Sequence, residues 1–563
     1  MLENIFNIDD NIDGEKTLFL YDGERISAAY FRKLIFHWAT VLKRENEERI
    51  ILHTEDNFLF AVGFFALLYA GKEVILASNV NTDYLTDIST LSNTILTDKP
   101  LNSGLNTIYI KNDSVDFMES FEMLNPKELY ITFFTSGSSA KPKIIRKSLQ
   151  NLELEAQEVG DFLKREFEAV YNESVILGSV KSSHLYGMIF YFLAPLLAGV
   201  KIDLDLIEFP EQLEEKLRKN RQNIFISTPS FLEKLHRYSD VYQFENTCVG
   251  ILSAGAKLPS ETAIGMRDIF GIYPVEIYGS TETGTIASKH FNELWKKFAT
   301  VNMDMQNDLL IVKSPFFLEN SLIIQDIIEI KKDGFILKGR ADRLVKIAEK
   351  RLSLDALEEK ILEDELIDRC HCFILDNKTL SCVIVPTKKG MDFLIENGKT
   401  QLEKNIKHQI SSKFDAIFFP KKWRVVNKIP VNKQGKIEAS KIQAMFEDNL
   451  AKPLIIEEIT DENSVTLKLI FLEDSIYFKG HFDGLPILAG VAQVHFAVQY
   501  IGEYFTPISN IKEIKKLKFT DLIFPNKEVI LKLKRNENGS YNFTYMGKEK
   551  YSSGVIYDGN TNV

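Results

Sequence analysis

Cysteine is scarce, with only Cys248, Cys370, Cys372 and Cys382 in a chain of 563 residues. Four are too few to staple a protein of this length, so free thiols in a reducing compartment are expected. Cys370, His371 and Cys372 look ligand-like. In the strand-like run CHCFIL, however, adjacent side chains point to opposite faces, and no second ligand cluster accompanies them, so they read as buried strand residues. Positive charge is in deficit, with 68 Lys and Arg against 79 Asp and Glu and a net charge of −11, which argues against nucleic acid as the main partner. The opening MLENIFNIDDNIDGEK has neither the basic nor the apolar region of a secretory signal, and a cytoplasmic location is expected. No uncharged run suits a bilayer: Asn57 to Gly71 is too short, and Ser182 to Gly199 is interrupted by Gly187 and Pro195. Both read as buried core helices. Internal repeats and low-complexity linkers are also missing, while the length is several times that of one ordinary domain.

What is present falls into three regions. Up to about residue 340, apolar runs such as RIILHT, EVILAS and NIFIST alternate with helix-like stretches such as AAYFRKLIFHWATVLKRE, the mark of an α/β unit. Next, LDALEEKILEDEL and LEKNIKHQISSKF read as helices around the strands CHCFIL and LSCVIV. From about residue 456, SVTLKLIF, SIYFKGHF, EVILKLKR and YNFTYM read as strands around one apolar helix, VAQVHFAVQYIGEYF. The expected domains are 1–341, 342–450 and 455–563, with a joint at AKPLIIEE near Pro453.

Two loops carry chemistry. The buried strand LYITFF, Leu129 to Phe134, runs into TSGSSAKPK. There the backbone N–H groups and hydroxyls of Thr135, Ser136, Gly137, Ser138 and Ser139 could wrap phosphate oxygens while Lys143 offsets their charge. A plain polar turn is the alternative, and the second glycine and GK[ST] ending of a Walker loop are missing. In EIYGSTETG, Glu276 to Gly284, a short strand ends in a tight turn presenting Thr281 and Glu282. A carboxylate there could hold Mg2+ against a nucleotide, or could simply face solvent.

Together these segments resemble the adenylate-forming ligase superfamily, which includes acyl-CoA synthetases, aryl ligases, luciferases and the adenylation domains of peptide synthetases. The resemblance continues in order through SAGAKLP (Ser253 to Pro259), Asp326, GRADRLVKI (Gly339 to Ile347), Arg351 and PVNKQGK (Pro430 to Lys436). It implies an ATP-dependent, Mg2+-assisted attack of a carboxylate on the α-phosphorus. It further implies that residues 135 to 143 cover the pyrophosphate, that Thr281 contacts the α-phosphate and that Glu282 holds Mg2+. Asp326 and Arg340 would reach the ribose, Lys436 would stabilise the adenylation transition state, and Asp342 would be the hinge of a mobile lid. By the same analogy the acid pocket lies near His184, Tyr186, Gly255, Tyr278 and Gly279, with Met188, Ile189 and Phe190 as an apolar wall that would serve equally as core. Ala140, Gln325 and Glu349 stand where the family usually has glycine, and Glu349 leaves the thiol acceptor, carrier protein or CoA, open.

The last region holds YFKGHFDGLPILAGVAQVHFAVQY, Tyr477 to Tyr500. His481 follows a predicted strand, and Pro486 and Gly490 punctuate the approach to a helix. A thioester carbonyl at that helix N-terminus would be polarised, acidifying its α-proton for His481 to remove. The pattern resembles the hot-dog fold 3-hydroxyacyl-carrier-protein dehydratases. That family places an acid fourteen residues after its histidine, where this chain has His495. A His481/His495 pair would divide base and acid roles; an inactive fold kept for dimerisation or carrier docking is the alternative. The resemblance implies a homodimer, and Lys421, Lys422, Lys512, Lys515, Lys516 and Lys518 could dock an acidic carrier or merely face water. The expected fold class is thus α/β, a large ligase domain, a small α+β lid and an α+β hot-dog domain. The expected function is activation of a fatty or aromatic acid, transfer to a carrier thiol supplied in trans, and dehydration of 3-hydroxyacyl-carrier-protein. A CoA ligase with an inert hot-dog module is the rival.

Overall fold

The computed structural model describes residues 14–77, 82–101, 104–113, 124–135, 143–219, 222–237, 244, 247–306, 309–340, 343–347, 350–376, 378–431, 437–447, 452–480, 484–508 and 510–559, the side chains of 82–84, 134, 135, 169, 346 and 351 excepted. The chain divides into two compact units, Met1–Arg340 and Ala341–Val563.

The first unit is built on two large sheets, with two smaller ones between Asn302 and Arg340. One places Arg49–His53, Glu73–Leu76 and Tyr130–Thr135 side by side in parallel and ends with Lys143–Ser148 antiparallel at its edge. The other runs Lys296–Lys297, Gly284–Lys289, Val275–Ser280, Cys248–Ser253, Asn223–Ser227, Val175–Gly178, Lys201–Asp203, Thr17–Tyr21 and Glu24–Ser27. Its middle strands are parallel and buried on both faces, hence the unbroken apolar runs that marked them in the sequence.

Helix Ala28–Lys43 starts where the Ser27 hydroxyl accepts from Tyr30 N–H, and it buries Phe31, Leu34, Ile35, Trp38 and Leu42 along one stripe. Helix Asn57–Tyr69, capped by Asp56, buries twelve of its thirteen residues, so its lack of charge reflects core packing. Each such apolar side chain contributes about 1.5–3 kcal/mol by leaving water. Ser182 to Gly199 is also core, with one departure: Gly187–Leu193 winds as a π-helix before Ala194–Ala198. Pro195 offers no N–H to the carbonyl four residues back, and Ala194 N–H reaches five residues back to Ile189.

The second unit holds a sheet of Ile367–Leu375, Thr379–Pro386 and Lys422–Val425, flanked by helices Leu354–Leu362 and Lys399–Ile410. Cys372 and Cys382 are cross-strand neighbours, Sγ to Sγ 3.5 Å, both fully buried, and burial pushes the Cys372 thiol up to about 11. A second, antiparallel sheet orders Leu454–Asp461, Ser464–Ile470, Glu528–Arg535, Tyr541–Met546, Lys550–Asp558 and Ile511–Phe519, with helix Gly490–Tyr504 packed on it through Ala492, Phe496, Ala497 and Tyr500.

One sequence expectation is corrected here. SIYFKGHF is no strand: within it the described residues form a single 3-10 turn, Ile476–Phe478, because the Ser475 hydroxyl accepts from Tyr477 N–H and tightens the chain. Beside the expected joint near Pro453, LIIEEITD forms an edge strand, Leu454–Asp461. The small sheet and the antiparallel sheet share polar contacts. Asp474 accepts from the buried Lys399 and from Arg424, and Glu473 accepts from Thr400 N–H at 3.0 Å.

Candidate active sites

Tyr130–Thr135 and Lys143–Ser148 pair antiparallel with Thr135 opposite Lys143, so the serine-rich loop leaves and re-enters at one strand end. Ser136, Gly137, Ser138 and Ser139 lie outside the described residues, as does the side chain of Thr135. Lys143 projects from the returning strand, and its Nζ lies 2.8 Å from Glu282 Oε1, joining a strand end of one sheet to a turn of the other. With Lys143 58% exposed and Glu282 32%, such a pair contributes no more than about 1 kcal/mol to stability; what it shows is placement.

The turn that carries Glu282 is tightly determined. Thr283 Oγ1 accepts from Ser280 N–H at 3.1 Å, Ser280 Oγ accepts from Thr283 N–H at 3.2 Å, and Thr283 is buried. Glycine is required at Gly279, where a Cβ would fall 2.3 Å from the Gly284 carbonyl oxygen. Thr281 begins the turn, half-buried. Burial alone would raise the Glu282 carboxyl, but the Lys143 ammonium and hydrogen bonds from its own amide and Ser280 outweigh it and hold the group below its usual range. Glu282 is therefore an ionised oxygen donor at neutral pH.

Asp326 opens the strand Asp326–Lys331, and its register partner is Arg340. Tyr278 donates its hydroxyl to Asp326 Oδ2 at 2.5 Å, and burial followed by the Asp326 charge pushes that phenol far above its ordinary value. The Tyr278 ring packs against Trp295 and Phe335. Sequence reasoning missed Trp295, which shows no motif.

Of the expected acid pocket, His184 and Tyr186 are half-buried, and the Tyr186 ring packs tilted against that of Phe190, centroids 5.1 Å apart. The Tyr186 hydroxyl is shut off from solvent beside the Ser227 backbone. Met188, Ile189 and Phe190 are fully buried in the main core. Gly255 is exposed, with φ +96°, a left-handed conformation suited to glycine, in the loop after Cys248–Ser253.

In the second unit, His495 is exposed on helix Gly490–Tyr504, its ring 6.0 Å from that of Tyr477. Gly490 starts the helix under the Phe519 ring, where a Cβ would lie 2.6 Å from it. Gln493, not singled out by sequence, is buried and fixes the approach, donating to the Leu488 carbonyl at 3.0 Å and accepting from Ser552 at 2.6 Å. His481, Lys436 and Asp342 lie outside the described residues, as do Ala140 and Glu349.

The AMP-binding enzyme family matches residues 75–312, and the ApeI dehydratase family matches residues 457–555. The chain thus has an AMP-binding domain with the α/β fold of adenylate-forming ligases, followed by an ApeI-like, dehydratase-type domain toward its C-terminus. The 4-coumarate–CoA ligase of Cereibacter sphaeroides is 25% identical over 328 residues, covering 57% of this chain and 74% of that protein. The D-alanine–D-alanyl carrier protein ligase of Staphylococcus haemolyticus is 22% identical over 356 residues, covering 56% and 71%. Two solved structures share the ligase fold. ATP-bound MatB from Rhodopseudomonas palustris has a TM-score of 0.68 at 17% identity, covering 79% of this chain and 99% of that one. A benzoate CoA ligase from Burkholderia xenovorans has 0.64 at 16%, covering 78% and 98%. Among the described residues, no helix is long and apolar enough to cross a membrane.

The ligase site suits ATP and Mg2+ by its donor chemistry. Mg2+ is bound through one or two carboxylates plus substrate phosphates, and Glu282 offers an ionised carboxylate beside a cation, Lys143, suited to those phosphates.

Proposed function

We propose that the chain activates a fatty or aromatic carboxylic acid with ATP, passes the acyl group to a carrier-protein thiol supplied in trans, and dehydrates 3-hydroxyacyl-carrier-protein thioesters, in the cytoplasm. The observation that carries the first half is the Lys143–Glu282 contact, which gathers a cation and an anion from two sheets at the end of the serine-rich loop.

In the first step an oxygen of the acid carboxylate bonds to the α-phosphorus of ATP and pyrophosphate leaves. The loop from Thr135 through Ser136, Gly137, Ser138 and Ser139 to Lys143 would cradle the departing phosphates, and Thr281 the α-phosphate. Asp326, oriented by Tyr278, would accept from the ribose hydroxyls with Arg340 beside it. Glu282 would hold Mg2+, which supplies charge neutralisation when bound. Lys436 would complete the first step and then withdraw as the lid turns about Asp342. In the second step a thiolate bonds to the acyl carbon and AMP leaves. His184, Tyr186, Gly255 and Gly279 would line the acid pocket.

In the hot-dog domain, His481 would take the α-proton of a thioester whose carbonyl faces the helix N-terminus at Gly490. His495 would protonate the departing 3-hydroxyl, so that water leaves. The edge strand Ile511–Phe519 leaves Leu517 and Phe519 exposed, which supports pairing with a second copy of the chain.

The second reading, a CoA ligase with an inert hot-dog module, is favoured by one observation: His495 is exposed and imidazole replaces the family's acid. Parallel assays with free CoA and with a phosphopantetheinylated carrier, followed by hydration of an enoyl-carrier thioester, separate the two. Preference for carrier together with hydration supports the bifunctional enzyme. Preference for CoA without hydration overturns it.

A further inference from the structure

Beneath the Glu282 turn lie two ionisable side chains to which neither motif nor family comparison assigns a task. Lys147 is fully buried, two residues along the same strand face from Ile145 and four from Lys143. Its Nζ donates to the Phe316 carbonyl at 2.6 Å and to the carbonyl of Glu282 itself at 3.4 Å. Glu155, in helix Leu149–Tyr171, is 1% exposed. Its Oε1 accepts from Thr285 N–H at 2.8 Å and from Thr285 Oγ1 at 2.9 Å, immediately beyond the turn.

Its other oxygen, Oε2, has no hydrogen-bond partner among the described residues and lies against Gly284, where a Cβ would come within 2.7 Å of it. Gly284 has φ +69° and no side chain, and both features let the chain turn over the carboxylate. Thus the segment from Glu282 to Thr285 is held from below at each end, at its first carbonyl by the Lys147 amine and at its last amide by the Glu155 carboxyl. Buried ionisable groups of this kind are poor stabilisers compared with apolar side chains of equal volume. Groups that orient a metal ligand, by contrast, strongly affect metal affinity.

We infer that Lys147 and Glu155 are positioning residues that hold the Glu282 turn in place for magnesium–ATP, acting through the Glu282 carbonyl and the Thr285 amide and touching neither substrate. The inference rests on the proposed role of Glu282.

The test is calorimetric titration of ATP, without acid substrate, over a series of Mg2+ concentrations, on the full chain. Lys147→Met and Glu155→Leu raise the Mg2+ concentration needed for half-maximal ATP binding by about 10- to 100-fold, the range for lost outer-sphere support, and leave metal-free ATP binding unchanged. Glu155→Gln, whose amide oxygen still accepts from Thr285, keeps the wild-type requirement. The double variant Lys147→Met/Glu155→Leu removes both buried ionisable groups together; a cooperative thermal transition checks that it folds, and it keeps the raised requirement. An unchanged requirement in the single variants, a wild-type requirement in the double variant, or a Glu155→Gln effect as large as that of Glu155→Leu each overturns the inference. Glu282→Gln run in parallel separates the two levels. If it raises the requirement while Lys147→Met does not, only the positioning role falls. If it leaves the requirement unchanged, the role of Glu282 falls and the inference with it.

Discussion

Tyr278 donates its hydroxyl to Asp326 across 2.5 Å, tying the strand that leads into the Glu282 turn to the carboxylate opposite Arg340. The bond occupies one Asp326 oxygen and fixes the orientation of the other. Tyr278→Phe removes it without changing the packing against Trp295 and Phe335. A hydrogen bond to a charged group is worth about 1.5–3 kcal/mol, so the KM for ATP rises about 10- to 100-fold while kcat changes little. Steady-state kinetics with ATP varied check this; a fall in kcat at constant KM contradicts it.

Lys436→Ala separates the two half-reactions. Losing one preorganised donor to the transition state costs about 100- to 1000-fold in adenylation, whereas thiol attack on supplied acyl-adenylate survives. Single-turnover measurement of each step is the check, and equal damage to both refutes the assignment.

For the hot-dog domain, His481→Ala lowers hydration of an enoyl-carrier thioester by about 10²- to 10⁴-fold, the scale of a lost general base. His495→Glu retains or raises the rate. If wild type and His481→Ala behave alike, catalysis there is refuted.

Asp474 anchors the antiparallel sheet to the small one through Lys399 and Arg424. Asp474→Ala leaves a Lys399 ammonium only 7% exposed, with Glu403 at 3.6 Å as its remaining anion. Because Asp474 is itself 34% exposed, the cost falls below that of breaking a fully buried pair, at about 1–3 kcal/mol. Urea unfolding of the full chain measures it; an unchanged midpoint contradicts the structural role.

His290 Nε2 lies 3.1 Å from Glu166 Oε1, and that hydrogen bond, opposed by partial burial, raises the imidazole above its ordinary value. A raised pKa in the folded state means the stabilisation is fully present below about pH 6.5 and is lost as pH rises through the folded value. With His290 44% exposed, the pair is worth a few tenths of a kcal/mol. Thermal unfolding of wild type and His290→Ala differs at pH 5.5 and converges at pH 8.5; a constant difference contradicts it.

Much of this was legible in the sequence because it is carried by local pattern. The parallel strands stand out as uncharged runs, the Glu282 turn as a glycine-flanked break after a strand, and the last helix as an apolar stretch after Pro486. Tertiary partners hid the rest. The Ser475 hydroxyl turns a strand-like SIYF into a 3-10 turn, and Pro195 coincides with π-winding in an otherwise ordinary core helix. Lys147 looks like one more surface lysine, since nothing local says that carbonyls of Phe316 and Glu282 await it.

The most direct test of the account is exchange of labelled pyrophosphate into ATP, measured with purified chain across a panel of fatty and aromatic acids. Exchange that requires a carboxylic acid and collapses in Glu282→Gln is the predicted result. Absence of exchange with every acid, or exchange indifferent to both acid and Glu282, contradicts it.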